Sequence, residues 1–242
     1  MKVITRENGN NITPDFTAGE VFLIDKPRRW SSFKVIHEVR KYCGTRKVGH
    51  AGTLDPMATG LLIICTGKKT KSITEFQDLG KTYTGVITLG IRTPSMDAET
   101  EVTEEKDYSH VTPEMIEEVR KTFMGETEQI PPMYSAVNYG GKKLYKFARA
   151  GREVKREPRK IVVTEFEITE ISLPEIRFRI GCSKGTYIRV IADDFGSKLG
   201  CGAYLTELRR TKIGDYDVED AFSPAGFIEM MKAKGAVDSQ TR

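Results

Sequence analysis

The sequence contains no long uninterrupted apolar run, whereas a membrane-spanning helix needs about 20 consecutive apolar residues. The N-terminal stretch MKVITRENGNNITPDF is polar and lacks the apolar centre of a signal peptide. Cysteines are few and form no CxxC pair, so the sequence predicts neither a zinc site nor a disulfide framework. They are Cys43, Cys65, Cys182 and Cys201. We therefore expect a cytoplasmic protein with reduced thiols and no membrane partner.

Metal and nucleotide motifs are absent from the sequence as well. The histidines His37, His50 and His110 show no spacing typical of metal ligands. Neither a GxxxxGK[ST] phosphate loop nor a GxGxxG turn occurs, since CTGKKTKS lacks the first glycine at the required distance. These absences favour a reaction performed by side chains alone, with no metal, nucleotide or other cofactor.

The chain has 242 residues, of which 38% are hydrophobic and 30% charged, and its net charge is +4. This composition is typical of an ordinary globular protein. Strand and helix patterns are mixed without strict βαβ alternation, which predicts an α+β fold. We expect a flexible leader over residues 1–18, one catalytic domain over 19–235 and a C-terminal tail over 236–242. The acidic, turn-rich stretch 93–107 is predicted to be an exposed loop.

Local patterns predict the main elements. Apolar runs predict strands at 21–27 and 61–67, and two-residue alternation predicts another at 81–90. Three helices begin with capping signals, at Ser31-Ser32, Thr112-Pro113 and Ser223-Pro224. A further helix is predicted from Tyr187 to Leu199, and strands are predicted on both sides of it.

The segment 139–160 is strongly basic, with nine Lys or Arg between residues 142 and 160 and only two acidic residues. Three aromatic residues are interleaved with the cations, which suits RNA because phosphates attract cations and unpaired bases stack on rings. A solvated helix surface is the alternative. The RNA interpretation makes this segment an RNA-binding insertion, whose candidate backbone contacts are Lys142, Lys143, Lys146, Arg149 and Arg152.

A single carboxylate, Asp55, stands before a proline in KVGHAGTLDPMATGLL (47–62). An aspartate in this position commonly forms a turn with nearby backbone N–H groups. Flanking glycines and Pro56 also indicate a stiff loop, and a carboxylate fixed there could act as nucleophile or general base if a cation keeps it ionised. Arg189 in CSKGTYIRV is the candidate cation.

Six motifs in order resemble the bacterial TruB-type tRNA pseudouridine synthases: DKPRRWSS (25–32), KVGHAGTLDPMATGLL (47–62), GKTYTGVITLG (80–90), PPMYSAV (131–137), CSKGTYIRVIADDFG (182–196) and CGAYLTELRR (201–210). The resemblance implies a mixed, largely antiparallel central sheet flanked by helices, the pseudouridine synthase fold. It implies a cofactor-free isomerase that flips the T-loop uridine at tRNA position 55 out of its stack and converts it to pseudouridine. The implied partner is the T arm of tRNA, and we expect the protein to be a monomer.

The resemblance also implies catalytic roles. Asp55 matches the catalytic aspartate, Tyr83 the tyrosine that stacks on the flipped base, and Arg189 the arginine that pairs with the aspartate. Whether the carboxylate attacks C1′ of the ribose or adds to the pyrimidine ring stays open.

Other residues match substrate-binding positions of the family. His50 matches the histidine that enters the T loop, and Tyr187 and Leu208 match residues that line the uracil pocket. Lys26 and Pro27 match a pair that supports the floor of the active site.

The sequence departs from the family pattern at two points, and two other functions are compatible with its residues. Arg29 stands where the family commonly has glycine, and roughly 30 residues after Lys212 are too few for the C-terminal PUA domain of many relatives. The alternatives are a pseudouridine synthase for another RNA and a non-catalytic tRNA-binding or tRNA-folding chaperone.

Overall fold

The computed structural model describes residues 2–236, and residues 237–242 of the expected tail lie outside them. The described residues form two compact units, the first from residues 2–83 and 208–236 and the second from residues 84–207.

The α-helices are α1 (Ser32–Arg40), α2 (Ile73–Asp78), α3 (Pro113–Lys121), α4 (Leu144–Arg149), α5 (Ile188–Lys198) and α6 (Pro224–Ala233). The β-strands are β1 (Val21–Lys26), β2 (Val48–Ala51), β3 (Thr59–Thr66), β4 (Lys81–Leu89), β5 (Ile91–Arg92), β6 (Glu104–Glu105), β7 (Gly125–Gln129), β8 (Asn138–Tyr139), β9 (Lys142–Lys143), β10 (Arg159–Ser172), β11 (Glu175–Cys182), β12 (Ala203–Ile213) and β13 (Tyr216–Asp217). Short 3-10 helices span Gly9–Asn11, Gly67–Ser72 and Val218–Asp220.

The central sheet has the strand order β1-β3-β12-β4-β11-β10-β7, with β2 paired to β3 and β13 paired to β12. Strands β1 and β3, β10 and β11, and β7 and β10 pair antiparallel, whereas β12 pairs with β3 in parallel. The predicted α+β class and the mixed, largely antiparallel sheet are confirmed.

The predicted helix starts are confirmed where a side chain caps the first turn. Ser31 Oγ accepts a hydrogen bond from the Lys34 N–H at 3.1 Å, and Ser223 Oγ accepts one from the Gly226 N–H at 3.0 Å. These bonds satisfy N–H groups that have no partner inside the helix.

The N-terminal segment is packed within the first unit, which differs from the flexible leader expected for residues 1–18. Ile4 forms a parallel bridge with Phe22 of β1, and Ile4 and Phe16 are buried in a core cluster with α1 and α6 residues. Their apolar side chains bury surface that a loose segment would leave in water, and this burial explains the difference.

The second unit has its own aromatic centre. Phe166 of β10 lies between Phe123, Phe178 and Phe195, with ring centroids 5.8–6.2 Å apart. Helix α5 is therefore packed on the β10–β11 hairpin, and Arg189 in its first turn is held in a fixed position.

Candidate active site

Asp55 lies on the loop between β2 and β3, and main-chain hydrogen bonds fix this loop. Ser32 Oγ accepts a bond from the Leu54 N–H at 2.9 Å and donates to the Leu54 carbonyl at 3.1 Å. The Ala58 N–H donates to the Asp55 carbonyl at 3.1 Å. The backbone of Asp55 therefore forms a turn, and α1 holds this turn through its first residue.

Lys26 is fully buried beneath the same loop. Its ammonium donates to the carbonyls of Trp30 at 2.6 Å, Pro27 at 3.1 Å and Pro56 at 3.5 Å. Buried charges need such partners, because an unsatisfied ammonium in the interior is costly. The cation thus joins the end of β1, the turn that follows it and the Asp55 loop.

Arg29 stands where the resemblance leads us to expect glycine, and its backbone has a glycine-like conformation. Its φ of 66° lies in the left-handed region, which costs a non-glycine residue about 1 kcal/mol or more. The Arg29 N–H donates to the Pro56 carbonyl at 2.8 Å. The departure in sequence therefore leaves the turn geometry in place, and this turn also contacts the Asp55 loop.

His50 lies on β2, five residues before Asp55, in a setting that keeps its ring neutral. Burial, reinforced by the positive charge of Arg210, lowers the pKa of His50 to about 4. Its Nδ1 is buried without a hydrogen-bond partner among residues 2–236. A neutral imidazole is suited to contact a base stack, because no ionic hydration shell must be removed first.

Arg210 is a structural residue of this site that the sequence analysis missed. The side chain is almost completely buried, with Nε donating to the Leu61 carbonyl at 2.8 Å and a terminal nitrogen donating to the Gly52 carbonyl at 3.0 Å. A Cβ on Gly60 would lie 2.3 Å from the Arg210 carbonyl oxygen, so only glycine fits there. Nothing in the dipeptide Arg209-Arg210 distinguishes this buried arginine from an exposed one.

Two other predicted site residues belong to the same unit. Tyr83 is buried on β4, and Leu208 is half-buried on β12, where its carbonyl accepts a bond from the Thr59 hydroxyl at 3.5 Å. Next to Leu208, Arg209 forms a paired salt bridge with Asp25, with nitrogen–oxygen distances of 3.0 and 2.8 Å. The first unit therefore contains Lys26, His50, Asp55, Tyr83 and Leu208.

The remaining predicted site residues, Tyr187 and Arg189, lie in the second unit. The Gln129 side chain forms two hydrogen bonds with the main chain of Tyr187, donating to its carbonyl at 3.0 Å and accepting from its N–H at 2.7 Å. Arg189 follows in α5, with its guanidinium 5.8 Å from the Tyr187 ring centroid. Tyr187 is thus set at the helix start, as predicted, and the buried Gln129 positions it.

The acidic stretch 93–107 is predicted to be an exposed loop, and this prediction is wrong at Asp97. Its side chain is completely buried, and one of its carboxylate oxygens lies 3.5 Å from a terminal nitrogen of Arg189. The Ser95 hydroxyl and the Glu99 N–H donate to its other oxygen at 2.6 and 3.0 Å. The loop folds inward here because a buried arginine requires a counter-charge. Acidic residues further along, such as Glu101, remain exposed.

The basic segment 139–160 is a short β8–β9 hairpin followed by α4 and an irregular stretch. Four of the five predicted RNA-contacting cations are exposed and Lys143 is half-buried. No carboxylate of residues 2–236 forms an ion pair with any of the five. Later cations of the segment are paired, Lys155 with Glu157 and Arg156 with Glu153.

Residues 2–236 contain no group of three His, Cys, Asp or Glu side chains that could hold a metal ion. Burial raises the pKa values of the Cys43 and Cys65 thiols to about 12, so neither is a thiolate nucleophile at neutral pH. None of the helices in this range is long and apolar enough to cross a membrane.

Comparison with known sequences places the chain in a family. Residues 40–188 match the model described as TruB family pseudouridylate synthase, N-terminal domain, and residues 189–239 match the tRNA pseudouridylate synthase B C-terminal domain. The chain therefore belongs to the TruB family of pseudouridylate synthases.

Curated relatives match along nearly the whole chain. A protein of Flavobacterium johnsoniae named tRNA pseudouridine synthase B is 49% identical over 229 residues, which are 91% of this chain and 100% of the relative. A protein of Bacteroides fragilis with the same name is 48% identical over 221 residues, 89% of this chain and 95% of the relative.

Solved structures give the same fold. A chain in the crystal structure of a Cbf5-Nop10-Gar1 complex is 28% identical, with a TM-score of 0.70 and 95% of this chain covered. The match covers 61% of that longer chain.

Proposed function

We propose that this chain converts the uridine at position 55 in the T loop of tRNA into pseudouridine. Family membership and the two relatives named tRNA pseudouridine synthase B support this activity and favour tRNA over other RNAs. The observation that supports it best is the Asp55 loop, whose turn is bonded to Ser32, Arg29 and Lys26. A carboxylate on a loop fixed in this way has a defined direction of attack.

The reaction replaces the bond between the ribose and N1 of uracil with a bond between the ribose and C5. The C1′–N1 bond breaks, the uracil turns while it is retained, and a C1′–C5 bond forms; C5 loses its proton to water and N1 gains one, so the atoms balance. Asp55 serves as the nucleophile, either by trapping C1′ or by adding to the ring, and is released when the new bond is complete. The isomerisation gains and loses no electrons, so it needs no net oxidant or reductant.

Arg189 is the group that we propose holds the Asp55 carboxylate ionised in a partly dry pocket. Support comes from its own setting, in which it is buried and opposed by the buried Asp97. A guanidinium stays charged at every physiological pH, so it lowers the free-energy cost of keeping an adjacent carboxylate ionised away from water. Tyr83 stacks on the flipped base, and Tyr187 and Leu208 line the pocket around it.

His50 is proposed to enter the T loop and help extrude the uridine. Unstacking a base costs a few kcal/mol, which contacts in the opened loop and the pocket must offset. The low pKa of His50 supports this role, because a neutral ring fills the space left in a base stack without its own desolvation cost. The cations of segment 139–160 bind the RNA backbone, and we propose that the enzyme acts as a cytoplasmic monomer.

Tritium release tests the proposed reaction directly. A T-arm hairpin labelled with 5-tritiated uridine loses tritium to water only when C5 becomes bonded to C1′. We expect release with the wild type and a loss of more than about 1,000-fold in turnover with Asp55→Asn, while hairpin affinity is retained. Asp215→Asn, which changes an exposed aspartate in a turn of the same unit, is the matched control and should behave as the wild type.

The other outcomes separate the alternatives. Binding of the hairpin by the wild type without tritium release would favour a chaperone. Release only from a labelled RNA other than the T arm would favour a different substrate. Retained turnover in Asp55→Asn would remove Asp55 from its assigned role.

A further inference from the structure

Phe33, in the first turn of α1, has the largest exposed fraction of the large apolar side chains in residues 2–236, at 74%. Single exposed apolar residues are common on soluble proteins and need no explanation by themselves. Phe33 differs because its ring packs edge-on against His50, with centroids 5.8 Å apart and planes at 81°. The exposed Phe33 ring therefore lies next to His50, the residue that we propose enters the T loop.

The position of Phe33 is fixed relative to the Asp55 loop. Ser31 caps α1, and the adjacent Ser32 exchanges two hydrogen bonds with Leu54, next to Asp55. Phe33 therefore stands on a rigid element whose first turn is bonded to the loop. A base stacked on this ring would lie at a defined place along the bound RNA.

The charges around the ring fit an RNA strand better than an apolar protein surface. Between Asp25 and Glu38 the sequence contains no acidic residue, and Arg28, Arg29 and Lys34 are exposed. The Lys34 ammonium lies 4.4 Å from the Trp30 ring centroid, which holds this cation close to the surface of the protein. Exposed cations close in sequence to an exposed aromatic ring are the combination that binds single-stranded nucleic acid.

We propose that Phe33 is a stacking residue for an unpaired nucleobase of the RNA, and that it forms with His50 a two-ring surface for the opened loop. This inference rests on the proposed function, and it adds a substrate-positioning residue outside the pocket of the target uridine. Stacking has no charge requirement, so the contribution of Phe33 should be independent of salt, unlike that of the surrounding cations.

Three variants test the inference in the full chain. Phe33→Leu keeps an apolar side chain but removes the aromatic face, Phe33→Trp restores one, and Val102→Ala changes another exposed apolar residue as control. With the T-arm hairpin we expect Phe33→Leu to weaken binding about tenfold, with an unchanged slope against salt and a raised KM at nearly constant kcat. Phe33→Trp should recover the affinity, and Val102→Ala should leave it unchanged.

A fluorescent base identifies the stacked position. With 2-aminopurine placed at each loop position in turn, one position should stay quenched in the wild-type complex and become bright with Phe33→Leu. His50→Ala should leave this change measurable, because Phe33 contacts the base itself. If Phe33→Leu has no effect in the His50→Ala background, Phe33 acts only through His50 and the inference is overturned.

Three other outcomes separate a failure of this inference from a failure of the proposed function. Wild-type affinity and quenching in Phe33→Leu would overturn the inference while tritium release by the wild type left the proposed function intact. Loss of affinity in both Phe33 variants, with a lowered melting temperature, would assign Phe33 a structural role instead. A wild type that neither binds nor converts the hairpin would contradict the proposed function itself.

Discussion

In the Asp55 loop, buried side chains hold the main chain at Leu54 and Pro56, whereas segment 139–160 presents its side chains to solvent from a short hairpin and one helix of six residues. Lys26 illustrates the first arrangement, because three carbonyls surround its buried ammonium. Lys146 illustrates the second, since its ammonium is exposed and unpaired within the described residues. The same residue type is therefore found in opposite settings in the two regions.

This difference fits the two roles on RNA that we propose for these regions. Bond breaking at one nucleotide needs a carboxylate fixed to a fraction of an ångström, which only a bonded loop supplies. Backbone binding needs positive charge that displaces counterions, and exposed mobile side chains supply it. We expect changes in the first region to reduce stability and turnover, and changes in the second to reduce affinity in a salt-dependent way.

Replacing Lys26 with methionine tests the bonded loop and should give the largest change in stability. The substitution leaves the Trp30 carbonyl without its buried donor and the Pro27 carbonyl with only the Trp30 N–H at 3.4 Å, and each buried group that loses a partner costs about 1–3 kcal/mol. We expect the free energy of unfolding, measured in urea, to fall by about 4 kcal/mol, with turnover reduced more than RNA affinity. Lys155→Met, at an exposed lysine, should change stability by less than about 0.5 kcal/mol. Equal effects of the two substitutions would contradict a supporting role for Lys26.

The pH dependence of stability tests the environment of His50. Its pKa is about 4 in the folded protein against 6.5 for the free side chain, so between these values the unfolded state binds a proton that the folded state does not. Stability should therefore fall as pH falls through this window, by about 3 kcal/mol in total, and the loss should be absent above pH 6.5.

His50→Gln removes this titration, so the stability difference between wild type and variant should shrink steadily from pH 7 to pH 4. Urea unfolding at a series of pH values measures it, and effects of the carboxylates cancel in the difference. Parallel stability curves for the two proteins would show that the imidazole is not held in its neutral form.

Sequence patterns predict much of this structure because the relevant forces are local. The caps Ser31 and Ser223 act within one helical turn, and the apolar run at 61–67 is buried as β3. Asp55 also stands out locally, since its turn is encoded by Gly52, Pro56 and Gly60.

The missed features depend on contacts between residues distant in sequence. Asp97 belongs to a stretch as acidic as any exposed loop, and only the approach of Arg189, 92 positions later, makes its burial favourable. Arg210 is likewise distinguished only by the carbonyls of Leu61 and Gly52. Composition also predicts a loose N-terminal segment, but the surface of β1 offers Ile4 a place to pack.

Neutralising the basic segment tests the other side of the comparison and should give the smallest effect in free energy. The quadruple variant Lys142→Gln, Lys146→Gln, Arg149→Gln and Arg152→Gln removes four exposed cations that have no ion-pair partner within residues 2–236. We expect hairpin affinity to fall about tenfold at physiological salt, and the slope of log affinity against log salt to decrease by about 3. Stability and the turnover of bound RNA should be unchanged.

A second quadruple variant with the same change in net charge is the matched control, made outside the segment at Lys106, Lys121, Arg177 and Arg179. These cations already lie within 4 Å of glutamate carboxylates, so we expect them to contribute little to the binding of RNA phosphates. If only the first variant loses salt-dependent affinity, the unpaired cations bind the backbone as local contacts. If both lose it equally, the segment contributes only to the overall field of the protein, and its cations are a solvated surface like any other.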